Sequence, residues 1–209
     1  KSTTTALIHH LLKSAGRAAD LGGNIGTAVL TLEPPASERA HVVECSSYQI
    51  DLAPTIDPRV GILINTSEDH LDRHGTIEHY AAVKERLVAG VQNDGAAVIG
   101  VDDEWCADIA MGIKNGSKVR AVSVVHEMED GISAVGGILR EWQNGSEVAR
   151  IDLRPMPALK GAHNWQNACM AYGAARALGV SKDVILSGMQ GFPGLAHRMQ
   201  QVATLKNVA

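Results

Sequence analysis

The sequence predicts an α/β fold: a mostly parallel sheet flanked by helices, with an added antiparallel ribbon. Three features carry this expectation. Short apolar runs at 40–45, 62–65 and 95–101 alternate with longer segments of helical periodicity, the pattern of strands buried beneath crossover helices. Aromatic residues are scarce (three Trp, three Tyr, one Phe), so a core drawn from a 45% hydrophobic composition must be mostly Ala, Val, Leu and Ile. The pair Asn144-Gly145 sits within a stretch, 132–153, that alternates apolar and polar residues, the mark of a hairpin.

The elements follow in order. Residues 1–19, KSTTTALIHHLLKSAGRAA, place Ala6, Leu7, Leu11, Ala15 and Ala18 near helical spacing behind a polar start, which predicts an amphipathic helix. Residues 22–26, GGNIG, follow it as either a plain loop or a backbone closely approached by a ligand, since three glycines in five residues favour positive φ. Residues 40–45 read as a strand that ends in Glu44. Residues 62–65 read as a buried strand whose carboxyl end opens into a polar loop holding Glu68, Asp69, His70, Asp72 and His74. A helix at 77–91 then sets Tyr80 and Lys84 on one face. A strand at 95–101, a helix at 102–111 and a β-rich stretch at 119–125 precede the ribbon. Pro155 and Pro157 break the chain before two helices, 161–178 with Asn164 near its start and 181–190 with Ser181 as N-cap. Residues 192–209 are expected to begin a strand of another module.

The length of 209 residues favours one large domain or one domain with an appendage. A net charge of −4 argues against a nucleic-acid partner, whose binders carry a basic face. Small anions remain open, because backbone amides bind them without net positive charge. Cys45, Cys106 and Cys169 are odd in number and form no C-x-x-C pair, which fits a reducing cytoplasm. No apolar run reaches the ~18–20 residues of a membrane span, and no signal peptide is visible. The chain starts with Lys1 rather than Met, directly at a helical pattern, as though cut from something longer.

Chemistry-bearing residues gather at the predicted strand ends. The K-S-T of residues 1–3 is the tail of a phosphate-binding loop G-x-x-x-x-G-K-[ST], in which Lys reaches phosphates and the next hydroxyl holds Mg²⁺, although hydroxyls at a helix start also serve as plain caps. Glu44, followed by Ser46 and Ser47, suits an oxygen-ligated Mg²⁺ or a helix-capping acid. Asp69 and Asp72 either cap the next helix, leaving both histidines solvated, or gather with the imidazoles around a metal.

Taken together, K-S-T opening a helix, GGNIG, VVECSSYQI, LINTSEDHLDRHG, YAAVKERL, LKGAHNWQNACMAYGAARALG and FPGLAHRMQ resemble the Mur ligases, in the family's order and over essentially the whole chain. The resemblance is strongest to the branch that adds D-glutamate. It implies that residues 1–192 are the family's central ATP-binding domain, lacking the first part of the phosphate loop, and that 193–209 are a hinge and the start of a C-terminal amino-acid-binding domain. The implied reaction joins D-glutamate to UDP-N-acetylmuramoyl-L-alanine at the expense of ATP, through an acyl phosphate, in peptidoglycan precursor synthesis. This fragment alone is expected to be inactive and its full-length parent a monomer, with no nucleic acid or membrane involved.

By resemblance, Lys1 contacts the β/γ-phosphates, Ser2 ligates a first Mg²⁺ with Thr3 alongside, and Glu44 supplies that metal's carboxylate. Asn24 and Ser46 correspond to residues contacting the UDP-linked substrate. His70 corresponds to a ligand of a second Mg²⁺, and Lys84 to a lysine that carries a CO₂-derived carbamate, turning a repelling ammonium into an anionic ligand. Asn164 and Asn167 match positions near adenine, or are simple caps; Arg198 matches a hinge arginine that reaches the nucleotide, or is a surface arginine. Other readings are a different Mur or folylpolyglutamate synthase-like amide ligase, and a non-catalytic nucleotide-binding module. A zinc hydrolase built on His70 and His74 lacks the glutamate of H-E-x-x-H.

Overall fold

The computed structural model describes residues 1–113 and 119–195. Helix α1 spans Ser2–Ser14, with Lys1 as its N-cap. It stops short of the predicted end at 19. Gly16, at φ 73°, donates to Lys13 and Arg17 donates to Leu12, a Schellman closure that turns the chain sharply. Ala18 therefore opens strand β1, Ala18–Gly23, and the glycine stretch ends a strand instead of linking helix to strand.

Strand β2, Arg39–Glu44, pairs parallel with β1. Ser46 then caps the short helix α2, Ser47–Asp51, in a reciprocal box with Gln49, so the capping acid considered for Glu44 is not needed. Strand β3 is Val60–Leu63. Helix α3, Leu71–His74, makes one turn where the sequence predicts a loop. Helix α4, Ile77–Ala89, is capped by Thr76. Strand β4, Ala96–Gly100, is buried throughout, and α5, Glu104–Gly112, is capped by Asp103. Strands β5, Val119–Ser123, β6, Gly131–Ser133, β7, Ile138–Gln143, and β8, Ser146–Asp152, complete the sheet. Helix α6, Ala162–Ala177, starts at Gly161 and not at an asparagine cap, and α7, Lys182–Gln190, is capped by Ser181 as predicted. Phe192–Leu195 have no regular structure, and the rest of the predicted terminal strand, with the hinge, lies outside the described residues.

Among the described residues the strands form two sheets. β1 and β2 stand alone, and β3 to β8 run in sequence order, parallel through β6 and antiparallel across β6, β7 and β8. Asn144 and Gly145, both at positive φ, turn β7 into β8 as the sequence predicts. The main core joins α1, α6 and α7 to the β6–β8 ribbon, with Leu7, Leu11, Ile132, Leu139, Met170 and Tyr172 almost wholly buried. A second core lies between β3, β4, α4 and α5. Helices thus cover both faces of the sheet, as parallel strands require.

Two buried polar groups are unusual for such a core. Glu141, 2% exposed, accepts from Tyr172 Oη at 2.6 Å, from Gln143 Nε2 at 2.6 Å and from Arg176 Nε at 3.3 Å, so its charge is compensated from three sides. His74 is the other. Its Nε2 lies 3.0 Å from Ser47 Oγ, and its ring stacks on Tyr48 and tilts against Tyr80 and His79, which ties α3 to α2 and α4. Burial lowers its pKa, opposed by Asp51 and reinforced by His79, Arg73 and His70.

Tyr172→Phe removes a donor to a buried carboxylate and is expected to cost about 1–3 kcal/mol in urea denaturation. For His74 the folded pKa lies below the ordinary 6.5, so the unfolded chain takes up the proton first. Its contribution is fully present above that value and is lost as pH falls towards the folded pKa. Denaturation series between about pH 7 and pH 5 should show a shallower decline for His74→Phe than for the unaltered chain.

Candidate functional site

One cavity, of about 1620 Å³, gathers the start of α1 and the carboxyl ends of β2 and β3. Lys1, Glu44, Cys45, Asn65, Asp69 and Lys84 lie on its wall. The arrangement follows from the parallel pairing, which brings strand ends to one edge, and from the first helix pointing its N-terminus there.

Glu44 is the last residue of β2 and is 7% exposed, and its Oε2 is buried without a hydrogen-bond partner. A carboxylate oxygen removed from water and left without a donor favours a cation beside it. The backbone around it is tightly fitted. Gly23, at φ 99°, abuts the Glu44 carbonyl so closely that any Cβ would collide with it, and Asn24 N donates to that same carbonyl at 3.0 Å. The close approach foreseen at GGNIG is thus made by β2 itself. Asn24 is exposed and off the cavity wall, and Ser46, also off it, is engaged in the α2 cap.

Ser2 and Thr3 fall in the first turn of α1 and are buried at 6% and 9% exposure; since Lys1 is the N-cap, neither acts as the cap. Thr4 Oγ1 donates to Asn167 Oδ1 at 2.9 Å, Asn167 Nδ2 donates to Asn164 Oδ1 at 3.2 Å, and Asn164 Nδ2 donates to the Lys160 carbonyl at 3.0 Å. The two asparagines expected near adenine therefore lock α6 to α1. Asn167 still reaches the cavity wall, whereas Asn164 does not. Arg198 lies outside the described residues.

Lys84 Nζ donates to the Asn65 carbonyl at 2.7 Å and stands 4.8 Å from the centre of the Tyr80 ring, confirming the shared helix face. Burial lowers its pKa; Cys106, Asp103 and Asp69 oppose the shift, and Lys1 adds to it. His70 is off the cavity wall. It adopts the left-handed conformation at φ 54°, uncommon for a residue other than glycine, with its backbone N–H on Asp69 Oδ1 at 2.9 Å and its Nε2 3.3 Å from Asp69 Oδ2. Its ring lies 5.1 Å from that of Tyr48.

The structure therefore brings Lys1, Glu44, Lys84 and Asn167 to one cavity, with Asp69 linking His70 to its edge. Among the described residues no group of three or more His, Cys, Asp and Glu side chains is placed to hold a metal. His74 Nε2 is engaged by Ser47 Oγ at 3.0 Å, which speaks against the zinc reading. Its burial also corrects the alternative in which both histidines are solvated beside a capped helix, whose cap is Thr76. Sequence reasoning missed His74 as a structural link. Its only signal was a helical spacing to His70 that belongs to a single turn.

The Mur ligase middle domain model matches residues 1–175. UDP-N-acetylmuramoylalanine--D-glutamate ligases of Nitrobacter hamburgensis and Bradyrhizobium diazoefficiens are 54% and 56% identical to the chain over 209 and 211 residues, covering all of it and 45% of each relative. The chain thus spans less than half the length of these relatives. Among solved structures, a UDP-N-acetylmuramoyl-L-alanyl-D-glutamate--2,6-diaminopimelate ligase superposes with a TM-score of 0.71 at 22% identity, over 95% of this chain and 45% of that one. MurF from Acinetobacter baumannii superposes with a TM-score of 0.69 at 22% identity, over 97% of this chain and 46% of that one. Sheet order, flanking helices and a cavity at the strand ends agree with the extended sequence match: the chain belongs to the Mur ligase middle domain family.

Proposed function

We propose that the protein containing this chain is an ATP-dependent ligase that adds D-glutamate to UDP-N-acetylmuramoyl-L-alanine in peptidoglycan precursor synthesis, and so serves cell-wall growth and division. The observation that carries the reading is the Glu44 carboxylate, one oxygen of which is buried without a hydrogen-bond partner, sharing a cavity with Lys1 and Lys84 at the start of α1. The choice of D-glutamate rests on relatives of that name at 52–56% identity across the chain. The three free cysteines support a cytoplasmic setting.

The chemistry runs in two balanced steps. A carboxylate oxygen of the substrate attacks the γ-phosphorus of ATP, giving an acyl phosphate and ADP. The amine of D-glutamate then attacks the acyl carbon, phosphate departs, and the amine's surplus proton passes to a base. The first step brings anion to anion, so its barrier is electrostatic. Lys1 and the amides at the N-terminus of α1 supply positive potential to phosphate oxygens. Glu44, with Ser2 one position beyond Lys1, fits Mg²⁺, which would neutralise charge on the phosphates when bound. Residues 1–192 act as the nucleotide-handling domain in this reading.

Lys84 is assigned a carbamate. Burial favours its neutral amine, the form that adds CO₂ with loss of a proton. The resulting anion would offer a ligand to a second Mg²⁺, with Asp69 on the same wall; His70 stands off that wall, paired with Asp69.

In the full-length protein, Lys84→Ala is expected to lower ATP- and D-glutamate-dependent amide formation by about 100-fold or more, with recovery on adding acetate or formate. Full activity without rescue removes the carbamate assignment. Glu44→Gln should raise the Mg²⁺ concentration for half-maximal rate by roughly 10- to 100-fold. A substrate panel settles the amino acid: preference for L-alanine, meso-diaminopimelate or a folate would overturn the D-glutamate assignment.

A further inference from the structure

Residues 64–66, which lead β3 into the polar loop, are pinned from three elements by groups that stand off the cavity wall. Gln166 Nε2 of α6 donates to the Ile64 carbonyl at 3.4 Å, and Gly100, the last residue of β4, lies so close to that carbonyl that any Cβ would collide with it. Asp103, the N-cap of α5, divides its carboxylate between two tasks. Its Oδ1 accepts from Cys106 N at 2.9 Å and closes the helix start, and its Oδ2 accepts from Thr66 N at 3.1 Å. Cys106 Sγ adds a contact to Thr66 Oγ1 at 3.3 Å, with Thr66 4% and Cys106 0% exposed.

The Thr66 N–H and the Asn65 carbonyl belong to one planar trans peptide, so they point in opposite directions. With the N–H turned back to Asp103, the carbonyl oxygen faces the cavity, where Lys84 Nζ donates to it at 2.7 Å. Turning this peptide would break both bonds at once. Lys84 reaches the wall on a flexible four-carbon stem, and the carbonyl is what fixes where its nitrogen stands. A carbamate keeps one hydrogen on Nζ, so the same bond serves the modified lysine. The neighbouring Asp102 works on the other side of β4, where its carboxylate accepts from Ser123 Oγ and Val124 N at the end of β5. Two successive carboxylates thus staple the strand ends on either side, and it is Asp103 that holds the peptide on which Lys84 rests.

We propose that Asp103 is a positioning residue for the ligase reaction: by holding the peptide between Asn65 and Thr66, it sets where the Lys84 nitrogen stands in the cavity. The inference rests on the role assigned to Lys84 above and adds the group through which the start of α5 controls it.

The test uses Asp103→Ser in the full-length protein, which keeps an N-cap oxygen for Cys106 N and removes the one that reaches Thr66. The kcat for amide formation is expected to fall by about 10- to 100-fold, with the KM for ATP held within about twofold. Added to Lys84→Ala, the same substitution is expected to cause no further loss, because a residue acting through Lys84 then has nothing left to place. In CO₂-free buffer, acetic anhydride labelling read by mass spectrometry should proceed about threefold or more faster at Lys84 in Asp103→Ser, with Lys13, Lys160 and Lys182 unchanged. Asp102→Ser, which frees the β5 end instead, should leave Lys84 labelling as it was. An unchanged kcat, losses that multiply in the double variant, or Lys84 labelling unmoved by Asp103→Ser would overturn the proposal. Faster labelling at all four lysines marks a general loosening and overturns it too. Full activity of Lys84→Ala alone removes the role of Lys84 instead, and the labelling then still decides whether Asp103 places that lysine.

Discussion

The site depends on how α1 is held. Its first turn carries four hydroxyl residues, Ser2 to Thr5, all buried, at the end where helix amides point outward. The Thr4–Asn167–Asn164–Lys160 chain of hydrogen bonds anchors that turn to α6, and α6 in turn lies across the sheet with Tyr172 and Met170 in the main core. Without this anchor the helix N-terminus would be free to fray, as unsupported first turns do. With it, a partial positive charge is fixed beside the strand end that bears Glu44.

A second set of contacts holds the opposite wall. Tyr48, His74 and Tyr80 pack their rings together, and His74 reaches Ser47 two residues after Cys45. The position of Lys84, one helical turn beyond Tyr80, is thereby tied to the segment that follows Glu44. Asp51 joins the same layer through Arg73 and Arg86 at 3.5 and 3.4 Å, contacts exposed enough to contribute little energy individually. The cavity is thus bounded by two independently braced layers, and its width is set where β2 and β3 fail to meet.

Much of the layout was legible in the sequence because parallel strands under helices are uniform in character. The apolar runs at 40–45, 62–65 and 95–101 carry their own signal, and the cap Ser181 and the turn Asn144-Gly145 act locally. Errors fell where the deciding force is not local. The end of α1 was misplaced because Ala15 and Ala18 continue an apolar period, while Gly16 closes the helix through backbone geometry that periodicity ignores. The one-turn helix at Leu71–His74 looked like a loop since it is stabilised by ring packing and not by its own length.

The sequence by itself determined the fold class, the family and the set of chemistry-bearing residues, because strand hydrophobicity, cap chemistry and motif order are written in neighbouring positions. Tertiary structure alone decided which of those residues face one another. It left one Glu44 oxygen without a partner on the cavity wall that Lys1 shares, turned Asn164 and Asn167 into a brace, buried His74 and separated β2 from β3. The physical reason is that burial and hydrogen-bond satisfaction are properties of an assembled neighbourhood. A residue's letter states what it can do, and only its surroundings determine which of its bonds remain available.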